Sequence, residues 1–212
     1  MAKRWQKILV AAIVILVAVV AVVLWQGGLA RGGDDVVLDT GKSVFTREHI
    51  LARIDLTCRK YGMTSDELYE DPGFWNQMVN DIVFEYAGAE IAREYAAELG
   101  FEDLTSEQRE EGENYAEQFY EQIAAGDMDR AETLASVGFT EESLLVYGQN
   151  QVYEAMLKDL WAQSIELSQD ATEAEYQKMV NYSQKMKQEI EHSVEEGKMK
   201  IDLSSLLQST EN

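Results

Sequence analysis

The chain contains only one cysteine, Cys58, and only one proline, Pro72. A single cysteine excludes an internal disulfide and any Cys-x-x-Cys zinc or redox motif, and we expect Cys58 to be a small buried hydrophobe. Sandwiches and barrels need frequent turn signals, so the scarcity of proline beside abundant Glu, Ala, Gln and Leu favours long helices. We therefore predict an all-α fold.

Basic residues are also scarce. The chain has 18 Lys and Arg against 39 Asp and Glu, a formal net charge of -21. Four of the basic residues, Lys3, Arg4, Lys7 and Arg31, lie in an N-terminal stretch without acidic residues, so the remainder is more acidic still. Phosphate binding needs clustered Lys and Arg, and we therefore expect no nucleic-acid partner.

The two histidines, His49 and His192, give little support for catalysis. His49 and Cys58 are nine residues apart in a predicted helix, too far to act as a base and a nucleophile. The Glu189-x-x-His192 step resembles one ligand pair of a di-iron bundle, but such a site needs a second step and further inward glutamates. No glycine-rich loop with a lysine is present to bind a phosphate. We expect no enzyme activity, no metal and no cofactor.

The N-terminal residues 1–26 carry a membrane signal. Residues Ile8–Trp25 form a run of eighteen without a charge, long enough to cover most of a hydrocarbon layer of about 30 Å. Basic residues before the run and Asp34 after it predict a cytoplasmic N-terminus and an extracytoplasmic body. A cleavable signal that ends near Ala30 is the alternative, but signal cores are shorter, about 7 to 15 residues. We favour a single-pass anchor, followed by a Gly-rich linker at 27–35.

Apolar periodicity and capping residues divide the first half of the body. Residues 36–45 predict a short strand or hairpin, and Thr46 is a plausible N-cap for the first helix. The stretch Phe74–Gly100 has apolar residues at spacings of three and four and predicts a core helix of about seven turns. Gly100 marks its end, and Thr105–Gln108 forms a capping box for the next helix.

The second half repeats this pattern. Thr140 is predicted to cap a second long amphipathic helix that runs to about Leu167. A capping box at Thr172–Glu175 is predicted to open a third long helix that ends at Glu195–Gly197. Residues 197–212 are predicted to be a loosely ordered C-terminal tail, so the helical domain is assigned to residues 36–196.

The order of these signals resembles the chaperone domain of the SurA and PrsA type of exported folding factor. The matching elements are Ala96–Gly100 at the end of the long helix, Leu104–Glu107 after it, Gly138–Glu142, and Thr172–Tyr176. The resemblance covers roughly residues 36–195 and implies a helical, peptide-binding domain. Family members often continue into a parvulin-type prolyl isomerase, for which too few residues remain here. The first turn, Asp39-Thr40-Gly41, also departs from the Asn-Gly that is usual in the family.

These observations predict an extracytoplasmic, ATP-independent holdase that binds unfolded or newly exported polypeptides. A groove between the helices of residues 79–95 and 147–161 is the predicted binding surface, and Trp161, Met156 and Tyr86 are expected at its surface. The alternative is a structural or scaffolding envelope protein whose last helix pairs with a partner or with itself through Met179, Met186, Ile190 and Val194. The clients and the oligomeric state stay open. The predicted peptide contacts are Tyr86, Tyr95, Tyr147, Tyr153, Met156 and Trp161.

Overall fold

A computed structural model of the protein describes residues 35–101, 103–124 and 128–208. The predicted anchor, residues 1–26, lies outside the described residues. None of the helices that are described combines the length and the apolar character needed to cross a membrane.

The described chain is mostly helical, as predicted, and it also contains a small three-stranded sheet. The predicted N-terminal hairpin is confirmed by the antiparallel pairing of the first two strands. In chain order the elements are β1 (Val36–Asp39), β2 (Val44–Thr46), α1 (Arg47–Lys60), α2 (Ser65–Tyr69), α3 (Pro72–Glu98), α4 (Ser106–Ile123), α5 (Arg130–Ser136), α6 (Glu141–Ala162), α7 (Ala171–Glu195) and β3 (Lys200–Ile201).

Helix α3 is the predicted core helix, and it begins two residues earlier than predicted. The Asp71 carboxylate accepts hydrogen bonds from the backbone N–H groups of Gly73 and Phe74, and Pro72 occupies the first helical position. Pro72 suits that position because its missing N–H would have no partner inside the helix. At the other end Gly100 has a φ of 78°, a left-handed conformation that favours glycine. Helix α3 packs against α1, α2, α6 and α7, so it lies at the centre of the domain.

Most predicted helix boundaries are confirmed. Thr46, Thr105 and Thr140 cap α1, α4 and α6, each in a reciprocal capping box. The predicted box at Thr172 is wrong, because the Asp170 carboxylate accepts from the N–H groups of Thr172 and Glu173 and starts α7 earlier.

The second long helix, α6, ends at Ala162 and not near Leu167. Two side chains, the Ser164 hydroxyl at 2.7 Å and the Asn181 amide of α7 at 3.0 Å, donate to the Trp161 carbonyl. The Trp161 carbonyl, near the end of α6, thus accepts from two side chains, and one of them belongs to the neighbouring helix α7.

Helices α4 and α6 cross so closely that their backbones are in direct contact. A Cβ atom built on Gly148 of α6 would lie 2.1 Å from the Gly112 carbonyl oxygen and 2.9 Å from the Ala116 Cβ. Real Cβ atoms essentially never approach other atoms so closely, so glycine is required at position 148. This crossing fixes the position of the first half of α6, which carries one side of the candidate site.

The C-terminal segment closes the sheet, and the prediction of a loosely ordered tail is wrong for residues 198–208. Strand β1 is central, with β2 on one side and β3 on the other, and Leu38 pairs with Ile201. The Trp75 indole donates a 2.7 Å hydrogen bond to the Leu206 carbonyl. The segment is ordered because its apolar side chains are buried against the core; Met199, Leu203 and Leu206 are the buried ones.

Candidate functional site

An open cleft of about 270 Å³ lies where the β1–β2 turn meets α3 and the start of α6. The turn contributes Thr40, Lys42 and Ser43, and the loop before α6 contributes Gly138 and Phe139. Small-molecule pockets typically hold about 300 to 1,000 Å³, so this cleft can take one bulky side chain or a short piece of extended chain.

Local hydrogen bonds shape the turn on one side of the cleft. The Asp39 carboxylate accepts from the Gly41 N–H at 2.8 Å, and the Thr40 hydroxyl accepts from the Ser43 N–H at 3.0 Å. Gly41 has a φ of 77°, a left-handed conformation that favours glycine. The Asp-Thr-Gly sequence places a glycine at this position, so it can form the turn as an Asn-Gly sequence would.

The loop on the opposite side also depends on a glycine. Gly138 has a φ of 86°, and a Cβ atom there would lie 2.8 Å from the His49 Nδ1 atom. A residue with a side chain would push this loop away from β2 and α1. Gly138 therefore allows Phe139 to reach the cleft.

The floor of the cleft is aromatic. The rings of Phe45 and Tyr86 are stacked with centroids 4.4 Å apart, and Phe139 meets Tyr86 edge-on at 5.4 Å. Tyr147 meets Tyr86 edge-on at 6.3 Å. Edge-to-face and offset pairs at these distances are favourable beyond the area they bury, so the floor is held rigidly.

Charged groups line the rim. Lys42 donates to Glu90 at 2.5 Å and to Glu94 at 3.3 Å. Partial burial lowers the pKa of Lys42, but the hydrogen bonds and charges of Glu90 and Glu94 outweigh burial, and the pKa lies above its ordinary value. Arg93, one turn along α3 from Glu90, makes no salt bridge to the residues that the structure describes. The rim thus offers a guanidinium that can donate to a ligand.

Asn150 lies in the lining of the cleft and is 3% exposed. Its Oδ1 atom is buried and has no hydrogen-bond partner among the described residues. A buried acceptor without a partner costs about 1 to 3 kcal/mol, and such groups in native proteins are concentrated at functional sites.

We expect Asn150→Leu to raise the free energy of unfolding by about 1 kcal/mol, because leucine has the same number of side-chain heavy atoms and needs no hydrogen bond. Urea unfolding followed by circular dichroism measures the change. A loss of 1 kcal/mol or more would contradict an unpaired amide oxygen at this position.

Two half-buried glutamates, Glu85 and Glu154, lie behind the floor. The Tyr147 hydroxyl, whose ring lines the cleft, donates to Glu85 at 2.6 Å. Glu154, on α6, accepts from the Tyr182 hydroxyl of α7 at 2.8 Å and from the Gln151 amide at 3.1 Å. Burial raises the pKa of Glu154 to about 7, and the nearby charge of Glu85 adds to the effect. The charge of Glu154, behind the cleft floor, therefore changes with pH near neutrality.

The structure brings two of the six predicted peptide contacts together in the cleft, Tyr86 and Tyr147. Tyr95 meets Trp161 edge-on at 5.5 Å, and Tyr182 of α7 covers the Trp161 ring at 5.6 Å. The expectation that Tyr86 and Trp161 lie at the surface is wrong, because both are buried.

The remaining two predicted contacts lie on α6 outside the cleft lining. Tyr153 is buried in the core, and Met156 is half-buried with its sulfur 3.5 Å from the Gln108 amide of α4. Helices α3 and α6 pack directly on each other. The open space therefore lies at the β-turn end of their interface and does not extend along the whole predicted groove.

Several cleft residues were not predicted from the sequence: Phe45, Lys42, Arg93, Phe139 and Asn150. For Asn150 the sequence did contain a signal, because this polar residue lies three positions after Tyr147 on an otherwise apolar helix face. The others come from separate segments that meet only in the folded domain.

His49 and Cys58, rejected above as a catalytic pair, have different structural positions. The His49 Nδ1 atom accepts from the Thr46 N–H in the cap of α1, and Cys58 is buried in the core. Burial raises the pKa of the Cys58 thiol. Across the described ranges, no group of three or more His, Cys, Asp and Glu side chains is placed to hold a metal ion.

Comparison with known proteins gave no match to a family model, a curated protein or a solved structure. The resemblance to the SurA and PrsA type of folding factor therefore stays a prediction.

Proposed function

We propose that this protein is a membrane-anchored, extracytoplasmic holdase that binds unfolded or newly exported polypeptides without ATP. The N-terminus would be cytoplasmic, residues 8–25 would cross the membrane, and the cleft would bind a bulky apolar side chain of the client. Binding would involve no covalent chemistry and no cofactor.

The observation that carries the proposal is the combination of an aromatic floor with an exposed guanidinium, that of Arg93, at the rim. The small exposed fractions of Tyr86 and Phe139, together with the half-buried Val146, supply apolar contact for a client side chain. Arg93, which is exposed at the rim, supplies a donor for a backbone carbonyl of the client. Backbone contacts do not depend on sequence, so these groups suit a binder of many different chains.

The size of the cleft supports transient binding. A volume of about 270 Å³ holds one large side chain, so each contact is weak and quickly exchanged. The acidic surface, with a formal net charge of -21 for the whole chain, keeps a complex with an unfolded client soluble.

The scaffolding alternative loses most of its predicted surface. Met186 and Ile190 are buried in the domain's own core, and Val194 is partly buried against it. Met179 alone of the four stripe residues is exposed. A stripe that already packs on α3 and α6 is not available to pair with another helix, so we do not propose this function.

Filling the cleft tests the proposal. Val146 lines the cleft and is half-buried, so Val146→Trp would occupy the space without removing a core residue. We expect the variant to lose client affinity about tenfold or more, because a tenfold change corresponds to only about 1.4 kcal/mol of lost contact. The measurement is suppression of light scattering by the full chain in nanodiscs, without nucleotide, with heat-unfolded citrate synthase and reduced insulin as clients.

Leu145→Trp is the matched control. Leu145 is the preceding residue on α6, is 38% exposed and does not line the cleft, so this variant should suppress aggregation like the wild type. Equal suppression by the wild type and Val146→Trp would exclude the cleft as the client site. Absence of suppression by the wild type would exclude the holdase function itself.

A further inference from the structure

Two aromatic side chains stand out of the domain at one end. Tyr69, the last residue of α2, is 54% exposed, and Phe74, in the first turn of α3, is 63% exposed. Both adjoin Trp75, which is buried and meets the Tyr69 ring edge-on at 4.8 Å. We call this exposed pair the aromatic pole.

The aromatic pole lies at the end of the domain where the described chain begins. The Asp35 carbonyl accepts from the Arg47 N–H at 2.7 Å, and the Arg47 Nε donates to the Ser205 carbonyl at 3.3 Å. Three residues later, the Gln208 amide donates to the Tyr69 carbonyl at 2.9 Å. The start of the domain and the aromatic pole are thus joined by one short series of contacts.

The distance from this end to the predicted anchor is limited by the chain. Nine residues, 26–34, separate the end of the predicted span from Asp35. Ten Cα-to-Cα steps join Trp25 to Asp35, so this stretch of chain can span at most about 35 Å. A domain of this size has a radius of gyration of about 16 Å, so a tether of this length keeps the aromatic pole within reach of the membrane surface.

We propose that Tyr69 and Phe74 rest in the headgroup region of the membrane that holds the anchor. The inference rests on the anchor part of the proposed function and not on client binding. Tyr is enriched at this depth, and Phe is common on the apolar faces of interfacial helices. The tether raises the effective concentration of the pole at the membrane, which two side chains need for lasting contact.

Charge limits the kind of lipid surface that the aromatic pole can meet. Asp66, Glu67, Glu70 and Asp71 lie between or beside the two aromatic residues and are exposed. Anionic headgroups would repel these carboxylates, so the partner is a zwitterionic surface. Contact should therefore weaken when anionic lipid is added, and salt should restore it by screening.

The test is quenching of a fluorophore at the pole by spin-labelled lipid. The full chain carrying Phe74→Cys is labelled with NBD and placed in phosphatidylcholine nanodiscs that contain lipid spin-labelled near the headgroup. The native Cys58 stays in place, because it is buried and burial raises the pKa of its thiol, so it labels slowly. Unmodified protein carried through the same labelling reports any residual reaction.

We expect quenching at position 74 to be at least threefold stronger than at Leu145→Cys, an exposed control site on α6. Tyr69→Ser added to the labelled protein should reduce the quenching. Equal quenching at positions 74 and 145 would overturn the proposal. A chain that is not retained in nanodiscs would overturn the anchor and this inference with it, while aggregation assays of the cleft variants would still judge client binding.

Discussion

We expect Gly148→Ala to lower the free energy of unfolding by about 3 kcal/mol, even though alanine favours a helix over glycine by about 1 kcal/mol. The new Cβ would lie 2.1 Å from the Gly112 carbonyl oxygen and 2.8 Å from the Ala116 backbone nitrogen. Backbone atoms cannot rotate away as a side chain can, so α4 and α6 would have to separate. Urea unfolding followed by helical circular dichroism measures the loss.

Gly88→Ala is the matched control for this prediction. Gly88 lies within α3, and its Cβ would meet the Met186 Cγ at 3.5 Å, an ordinary van der Waals distance. This variant should gain up to about 1 kcal/mol from helix propensity. If both variants changed stability by the same amount and sign, the close crossing of α4 and α6 would not be the cause.

We expect Glu154→Gln to raise the free energy of unfolding by up to about 3 kcal/mol at pH 8. The folded-state pKa of Glu154 is about 7 against an ordinary value of 4.5, so above pH 7 the folded state holds a buried charge that the unfolded state exposes to water. This cost grows as the pH rises from 4.5 to 7 and vanishes below 4.5, where the carboxyl is protonated in both states. Glutamine resembles the protonated form, because it too keeps one acceptor and gains a donor.

The measurement is a series of urea titrations from pH 4 to pH 8. The difference between Glu154→Gln and the wild type should fall towards zero at the acidic end. Asp81, whose pKa is raised to about 6 by burial and by the charge of Glu85, should make the wild type itself more stable at pH 5 than at pH 8. The exposed Glu113→Gln on α4 is the control and should shift stability by about 0.5 kcal/mol or less at every pH.

Local signals predicted the helices well because the responsible groups are close in sequence. Asp71 and Pro72 set the start of α3, and Gly100 sets its end. The same reasoning misplaced the start of α7, where Asp170 and Thr172 both have a side chain suited to capping and the earlier one wins.

The cleft could be predicted only in part, because its walls come from distant segments. Tyr86 and Tyr147 are large residues on helix faces and were predicted as contacts, but Tyr86 was expected at the surface and is buried. Lys42 meets Glu90 across 48 residues of sequence, and no local pattern reports such a contact. The approach of Phe139 depends on the space that Gly138 leaves beside His49.

The first strand of the domain is paired with the last, and this pairing sets an order for folding. A ribosome releases residues 36–39 long before residues 200–201, so β1 has only β2 beside it during most of synthesis. Trp75 likewise lacks the Leu206 carbonyl until residue 206 has been made. The domain can therefore close only after residues 200–206 have left the ribosome, however early its first strand was delivered.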